Sequence, residues 1–464
     1  MNSYVASTSL PTDPAGAFAY HERPGALDRL IPPWKRVRVE SSDGSLRSGS
    51  RVVLRMGVGP ISMKWVALHK DYDPPSLFSD EQESGPFAEW LHEHRFETDQ
   101  PDSSHCVLQD HISYRLPLAP LGQWLGGSAA RKELETMFAF RHRITRDDLS
   151  LAEQYPVKPM TIAVSGSSGL VGRRLTSLLT LLGHRVIRME RSIEKALPDG
   201  SAIAPWASES EADKLSGVDA VVHLAGKSIA DSRWTPEIKR EIRASRVDLT
   251  RQLSETLAKL KQKPSVFICA SAIGIYGSRG DEELTESSPE GDDFLADVAI
   301  EWEQACRPAR EAGIRVANAR LGIVLDPTAG ALKKMLFPAR MMGGRVGHGR
   351  QWWSWIAADD VIGAIYHAIC NDRVSGPFNV TAPTPVTSGE FAKTLGRVLR
   401  RPALFPAPAI ALRFALGEMA DALLLASTRV LPGVLEETGY RFRFHDLESQ
   451  LRYCLGRDRL ESVS

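Results

Sequence analysis

The sequence predicts two folds on one chain: a doubly wound parallel α/β sheet from residue 160 onward, and an α+β module before it. Three observations carry this expectation. Met160 to Arg191 reads as strand, glycine-rich turn, helix and strand; further buried apolar runs alternate with helical segments; and the residues before 155 form short alternating segments closed by a helical run.

In the parallel half, the β-branched run Thr161 to Val164 leads into Gly166, Gly169 and Gly172, then an amphipathic helix, then a second strand at Arg185 to Met189. Glycines at this spacing let the backbone turn tightly and approach a pyrophosphate, which the N-terminus of the next helix stabilises. Val218 to Gly226 (VDAVVHLAG) is a buried strand ending in a small-residue turn, Ile242 to Leu253 a helix, and Val266 to Gly277 (VFICASAIGIYG) the next strand. Ahead of it, Arg51 to Met56, Ser62 to His69, Glu93 to Glu97 and Cys106 to Leu116 read as an antiparallel sheet. Ser128 to Phe140 is a helix with Leu134, Met137 and Phe138 on one face, which completes a helix-grip pattern. The Pro-containing stretch Gln154 to Pro159 marks the boundary, giving expected domains at 1–155, 160–385 and 386–460.

The 464 residues exceed one ordinary core, and 57 basic against 57 acidic residues indicate neither a nucleic-acid surface nor an acidic partner. Five scattered cysteines without a CxxC pair read as reduced thiols. No basic segment followed by an apolar core opens the chain, and the most apolar stretch, Pro402 to Ala426, carries Arg413, Glu418 and Asp421. A cytoplasmic protein without a membrane partner is expected. His92 and His94 alternate on one strand and so share a face, but no third metal ligand stands out, and no metal site is expected.

The cofactor follows from the end of the second strand. NAD needs a carboxylate there for the ribose hydroxyls, whereas NADP needs cations around a phosphate. The segment reads Arg188-Met189-Glu190-Arg191-Ser192, and Arg173 and Arg174 open the helix. Arg191 with Ser192, and Arg173 from the turn, favour NADP, with Glu190 arguing mildly for NAD.

The G-x-x-G-x-x-G turn resembles that of short-chain dehydrogenases/reductases. Together with SAIGIYG (Ser271 to Gly277), GDDFL (Gly291 to Leu295), Trp302-Glu303, RLGIVL (Arg320 to Leu325), GRQWWSWI (Gly349 to Ile356) and GPFNVTAP (Gly376 to Pro383), it is similar to an atypical extended branch, the NAD-dependent epimerase/dehydratase-like "epimerase family proteins". The tail, with RPALFPAP (Arg401 to Pro408) and GEMADALLLAS (Gly417 to Ser427), matches the small substrate-side C-terminal domain of uncharacterised function in that family. RLIPPW (Arg29 to Trp34), GPFAEWLHEHRF (Gly85 to Phe96) and YRLPLAPLG (Tyr114 to Gly122) resemble START/polyketide-cyclase-like (SRPBCC) domains, which hold an apolar ligand between sheet and helix.

The resemblance implies a Rossmann-type fold with cofactor contacts at Gly166, Ser167, Ser168, Gly169, Leu170, Val171, Gly172, Arg173, Arg191, Ser192, Leu224, Ala225, Gly226, Ser271 and Arg320. The superfamily's Tyr-x-x-x-Lys dyad is missing: Phe294 to Ile300 holds neither residue, no lysine lies between Lys263 and Lys333, and Tyr276 is the only tyrosine in that interval. Ser271 and Tyr276 are then the candidate catalytic hydrogen-bonding groups, and Glu286, Asp292, Asp293 and Asp297 follow in a loop. Ser271 stands one residue before the usual serine, where Ala272 lies, so a local bulge is needed to turn its hydroxyl inward. Trp353 and Ala357 replace an Arg and a His that sugar-nucleotide epimerases use, which weakens diphosphate recognition and points to a small, apolar-containing substrate. Three functions fit: an NADP-dependent oxidoreductase or epimerase, a non-catalytic NADP(H) sensor, or a hydrophobic-ligand carrier acting through the first domain.

Overall fold

The computed structural model describes residues 1–58, 61–99, 104–117, 121–195, 197 and 200–458. It divides into two compact units. One comprises Met1–Pro156 with Ser177–Gly183 and the described residues from Arg452; the other comprises Val157–Thr176 and His184–Leu451. The first break lies between Pro156 and Val157, and the C-terminal region as far as Leu451 belongs to the second unit.

The first unit is a seven-stranded antiparallel sheet in the order β1-β7-β6-β5-β4-β3-β2. Its strands are β1 (Asn2–Leu10), β2 (Val37–Ser42), β3 (Arg51–Val58), β4 (Ile61–Asp73), β5 (Leu77–Ser84), β6 (Glu89–Thr98) and β7 (Cys106–Arg115). Strand β7 shows why one face is buried: Cys106, Leu108, Asp110, Ile112 and Tyr114 alternate inward. Helices α1 (Pro14–Glu22) and α2 (Ala26–Leu30) follow β1, and α3 (Leu121–Gln154) packs Leu134 and Phe138 into a cluster with Tyr4, Trp90, Ile112 and Tyr114. This is the expected helix-grip arrangement. The sequence reading missed β1, β2 and β5 and truncated α3 to its middle. Positions 118–120 of the YRLPLAPLG stretch lie outside the described residues.

The second unit is built on a seven-stranded parallel sheet: β8 (Thr161–Ser165), β9 (Arg185–Met189), β10 (Ala202–Ile203), β11 (Ala220–His223), β12 (Val266–Ala272), β13 (Arg315–Leu321) and β14 (Gly376–Val380). The spatial order β10-β9-β8-β11-β12-β13-β14 is that of a doubly wound Rossmann-type sheet, with helices α4 (Leu170–Leu181), α5 (Pro236–Lys259), α6 (Phe294–Gln304) and α7 (Ala358–Cys370) following β8, β11, β12 and β13. All four residues of β11 are buried, as expected for a parallel strand covered on both faces. The predicted strand Val266 to Gly277 ends at Ala272. Ile273–Tyr276 forms a single 3-10 turn, closed by Gly277 at φ 65°.

Among the described residues, no helix is long and apolar enough to cross a membrane. None of the five cysteines forms a disulfide.

Candidate functional site

The chain reverses direction across the sheet between β8 and β11, which opens a crevice at their carboxyl ends. Gly166 leaves β8 at φ 67°, and a Cβ there would lie 2.8 Å from the Leu224 carbonyl carbon. A Cβ on Gly172 would lie 2.1 Å from the Gly166 oxygen, so α4 rises from the turn only because both residues are glycine. The Gly169 amide donates to Gly166 O at 2.9 Å, and Ser168 and Gly169 stay exposed on the rim. The first amides of α4, those of Leu170 and Val171, precede the Arg173 amide that donates to Gly169 O at 3.0 Å, and they lie at the crevice end of the helix. Opposite, Ser165 Oγ accepts from the Leu224 amide at 3.1 Å and lies 2.6 Å from His223 Nδ1, which fixes the Leu224-Ala225-Gly226 turn beside the glycines.

Met189 ends β9 in register with Ser165, so Arg191 and Ser192 emerge at the same edge as Gly166. Arg173 and Arg191 are exposed and carry no ion pair among the described residues. Arg174 is different: it pairs with Asp326 and, at 3.1 Å, with Asp359, so its charge is spent within the fold.

One further cation was missed from the sequence. Arg246 of α5 lies over the Trp302 ring at 5.2 Å and 3.3 Å from where a Gly226 Cβ would stand. It has hydrogen bonds to Ile242 O and Ser245 Oγ but no carboxylate among the described residues, and burial pulls it down to about 10. A helical arginine reads as solvated by default; the nearby HLAG glycine was the available signal. These groups fit a dinucleotide: glycines where a side chain would clash, a free helix N-terminus, and unpaired cations at the rim.

The structure brings Ser271, Tyr276 and Arg320 together, but around Glu303 and inside the protein. Ser271 Oγ donates to Glu303 Oε1 at 2.7 Å, and Arg320 grips the same carboxylate through Nε at 2.8 Å and Nη2 at 2.9 Å. Arg320 Nη1 donates to the Tyr276 hydroxyl at 2.9 Å, which donates to Asn379 Oδ1 at 2.7 Å. Tyr276 is 0% exposed, and burial pushes its phenol up against the pull of Arg320 and Asn379. Burial opposes the Arg320 charge, yet Glu303 more than compensates and raises it. The bulge expected at Ser271 is absent: β12 and β13 pair in unbroken register from Val266 to Ala272, so the Ser271 hydroxyl stays turned toward α6.

Of the acidic residues, Glu286 and Asp293 are likewise engaged, whereas Asp292 and Asp297, the latter in the first turn of α6, are exposed. Glu286 accepts from the amides of Asn379 and Val434, and Asp293 caps α6. Trp353 and Trp355 are core residues at 4% and 0% exposure, leaving only Trp352 part-exposed, with its indole on Asp281. The tryptophan cluster therefore packs the fold.

In the first unit, strand register supplies a candidate third ligand that does not stand out in the sequence. Asp80 on β5 lies directly opposite His92, His69 on β4 opposite Asp80, and Asp110 on β7 opposite His94, and opposed residues share a face. One ligand atom each from Asp80, His92 and His94 lies within 4.8 Å of the others. His92 Nε2 is 2.9 Å from Asp110 Oδ1, and His142, one helical turn beyond Phe138 on α3, reaches Asp110 Oδ2 at 2.5 Å. Burial disfavours a charge on His92, but bonds to Asp110 and Asp80 raise it to about 9. Burial and the neighbouring His92 hold His94 down to about 3.

A parallel sheet with a glycine turn at its switch point defines the class: an extended Rossmann-type dinucleotide fold carrying an added helix-grip unit. Sequence profiles agree. The NAD dependent epimerase/dehydratase family matches residues 162–381, a domain of unknown function (DUF1731) matches 407–454, and the "polyketide cyclase / dehydrase and lipid transport" family matches 10–140. Epimerase family protein Mb2239 of Mycobacterium bovis is 40% identical over 301 residues, covering 64% of this chain and 98% of its own. A crystal structure described as a nucleoside-diphosphate sugar epimerase from Corynebacterium glutamicum aligns with TM-score 0.80 at 33% identity, over 99% of this chain and 91% of that one. Human epimerase family protein SDR39U1, solved with NADPH, aligns with TM-score 0.59 at 32% identity, over 64% of this chain and 99% of its own. The chain belongs to the NAD-dependent epimerase/dehydratase family, among its epimerase family proteins.

Proposed function

We propose that the second unit binds NADP(H) and serves as an oxidoreductase or epimerase on a small molecule, without the lysine-activated tyrosine of its superfamily. The observation that carries the cofactor reading is the pair of guanidinium groups without an ion pair among the described residues, Arg191 beyond β9 and Arg173 on α4, at the edge where a 2′-phosphate would sit. The similar human protein solved with NADPH supports it. In this reading Gly166 to Gly172 admit the pyrophosphate to the α4 N-terminus, Leu224 to Gly226 border the cofactor, and Arg246 supplies a further cation beside Gly226. When bound, the nicotinamide supplies the hydride chemistry.

The role proposed for Ser271, Tyr276 and Arg320 is a positioning one: they hold the carboxyl edge of β12 and β13 beneath the site. Because their polar atoms are already engaged, a second reading is favoured by the same network, in which NADP(H) occupancy is sensed without turnover. Apolar-ligand carriage by the first unit is compatible with its family and independent of both.

Isothermal titration tests the cofactor. NADPH should bind more tightly than NADH, and Arg191→Ala should narrow that gap by about 1.5–3 kcal/mol, the scale of a charged hydrogen bond. Equal affinities in the unmodified protein reject NADP selectivity. Tight NADPH binding with no hydride transfer across a broad panel of carbonyl and alcohol compounds selects the sensing reading.

A further inference from the structure

We propose that Asp80, His92 and His94 in the first unit form a binding site for one first-row divalent transition ion. The inference is independent of the dinucleotide reading, since it uses only the helix-grip sheet.

The donor set is the first argument. Two imidazoles and a carboxylate suit zinc, iron(II) or cobalt(II), whereas magnesium and calcium take oxygen donors. Their spacing is the second. Atoms bound about 2.0–2.2 Å from one ion lie no more than about 4.4 Å apart, and here the three ligand atoms fall within 4.8 Å of one another on adjacent strands. Only small side-chain adjustments separate the observed arrangement from coordination.

The surroundings are the third argument. A histidine that ligates a metal through one nitrogen commonly donates its other N–H to a carboxylate, which orients the ring. His92 has this disposition: Nδ1 faces Asp80 at 3.5 Å, while Nε2 lies 2.9 Å from Asp110, itself held by His142. The fourth is incompleteness. His94 Nδ1 lies 2.7 Å from Asp110 Oδ1 but off the line a hydrogen bond requires, and is left without one. His69, 6% exposed and directly across from Asp80, also has a buried Nδ1 with no hydrogen-bond partner among the described residues. Buried native polar atoms are rarely left so, and two on the face that carries Asp80 and His92 indicate a missing partner.

The cluster is also reachable. The Asp80 and His94 side chains are 16% and 11% exposed, against 4% and 3% for His92 and Asp110. Three protein ligands leave a coordination position for water or for a carbonyl or carboxylate oxygen of a small molecule.

Cobalt(II) is the probe. Full-length protein stripped with a chelator should take up one equivalent, develop visible d–d absorption and release cobalt to zinc. Asp80→Asn and His94→Gln should each weaken cobalt binding by about 100-fold or more. His111→Ala should not, because that histidine faces the other way, onto Ser3 and Glu93. Failure of the wild-type protein to bind near-stoichiometric cobalt at micromolar concentration overturns the proposal, as does unchanged uptake by folded Asp80→Asn. If both variants fail to fold, X-ray absorption of the wild-type cobalt complex decides: two imidazoles in the first shell support the site, and a shell without imidazole overturns it.

Discussion

Two buried polar networks of this chain, one in each unit, differ in whether they close. In the second unit Ser271 donates to Glu303, Glu303 holds Arg320, Arg320 donates to Tyr276, Tyr276 donates to Asn379, and Asn379 donates onward to Leu431 O. In the first unit Asp110 gathers histidines while His69 and His94 each retain a buried nitrogen without a hydrogen bond. A closed network fixes a fold. An open one calls for a partner from outside the chain, since each unmade bond in the interior costs about 1–3 kcal/mol. The group the sequence offers first as a proton donor, Tyr276, lies in the closed network, and the pair it offers last as ligands lies in the open one.

Breaking the closed network should have the largest effect. Glu303→Ala removes the only carboxylate paired with Arg320 among the described residues and strands a cation that is 6% exposed. A loss of about 3–5 kcal/mol is expected, because an uncompensated buried charge costs more than its salt bridge contributes. Urea denaturation of the full chain measures it. His94→Gln in chelator-treated protein should cost less, about 1 kcal/mol, since His94 Nδ1 meets Asp110 outside hydrogen-bond geometry. Equal losses in the two variants would erase the distinction.

His223 is an intermediate case, with Nδ1 on Ser165 and a buried Nε2 that has no hydrogen-bond partner among the described residues. Burial pulls it down to about 4. An imidazole depressed in the folded state and ordinary in the unfolded state contributes stability that is fully present above pH 6.5 and is lost as pH falls toward 4, because the unfolded chain takes up the proton first. Across that window the loss approaches about 3 kcal/mol. His223→Asn, which keeps an acceptor for Ser165, should therefore show a shallower decline than the wild type when stability is measured from pH 7 to pH 4. Parallel declines would mean that His223 takes up its proton equally readily in the folded and unfolded protein.

Much of the second unit was legible because local and global signals agree there. Glycines sit where only glycine fits, Arg185 to Met189 was bounded exactly as the strand is observed, and Arg191 follows it. What was not legible depends on register and on pairs distant in sequence. Asp110 occupies the inward parity of Leu108, Asp110 and Ile112, a readable anomaly, but its meeting with His94 and His142 needs the pairing of β6 with β7 and the docking of α3. Asp80 was invisible because β5 reads as polar. Tyr276 was misplaced for a local reason: the strand stops at Ala272, and the 3-10 turn swings the ring inward onto Asn379 of β14.

The smallest change probes the same question most directly. Tyr276→Phe keeps the ring and removes one hydroxyl, which leaves Arg320 Nη1 with its longer 3.4 Å contact to Glu286 O and Asn379 Oδ1 without its donor. If the phenol is a positioning group, stability should fall by about 1–3 kcal/mol, the cost of leaving buried partners unsatisfied. NADPH affinity should stay within about twofold, because the cofactor reading uses no atom of Tyr276. Any turnover should then fall only in proportion to the folded fraction, and its pH profile should keep its shape. A drop of about 10²-fold in turnover in fully folded, NADPH-bound protein is what removal of a positioned proton donor produces. That result would mean the closed network opens during the reaction, with Arg320 and Asn379 releasing the hydroxyl to the nicotinamide side.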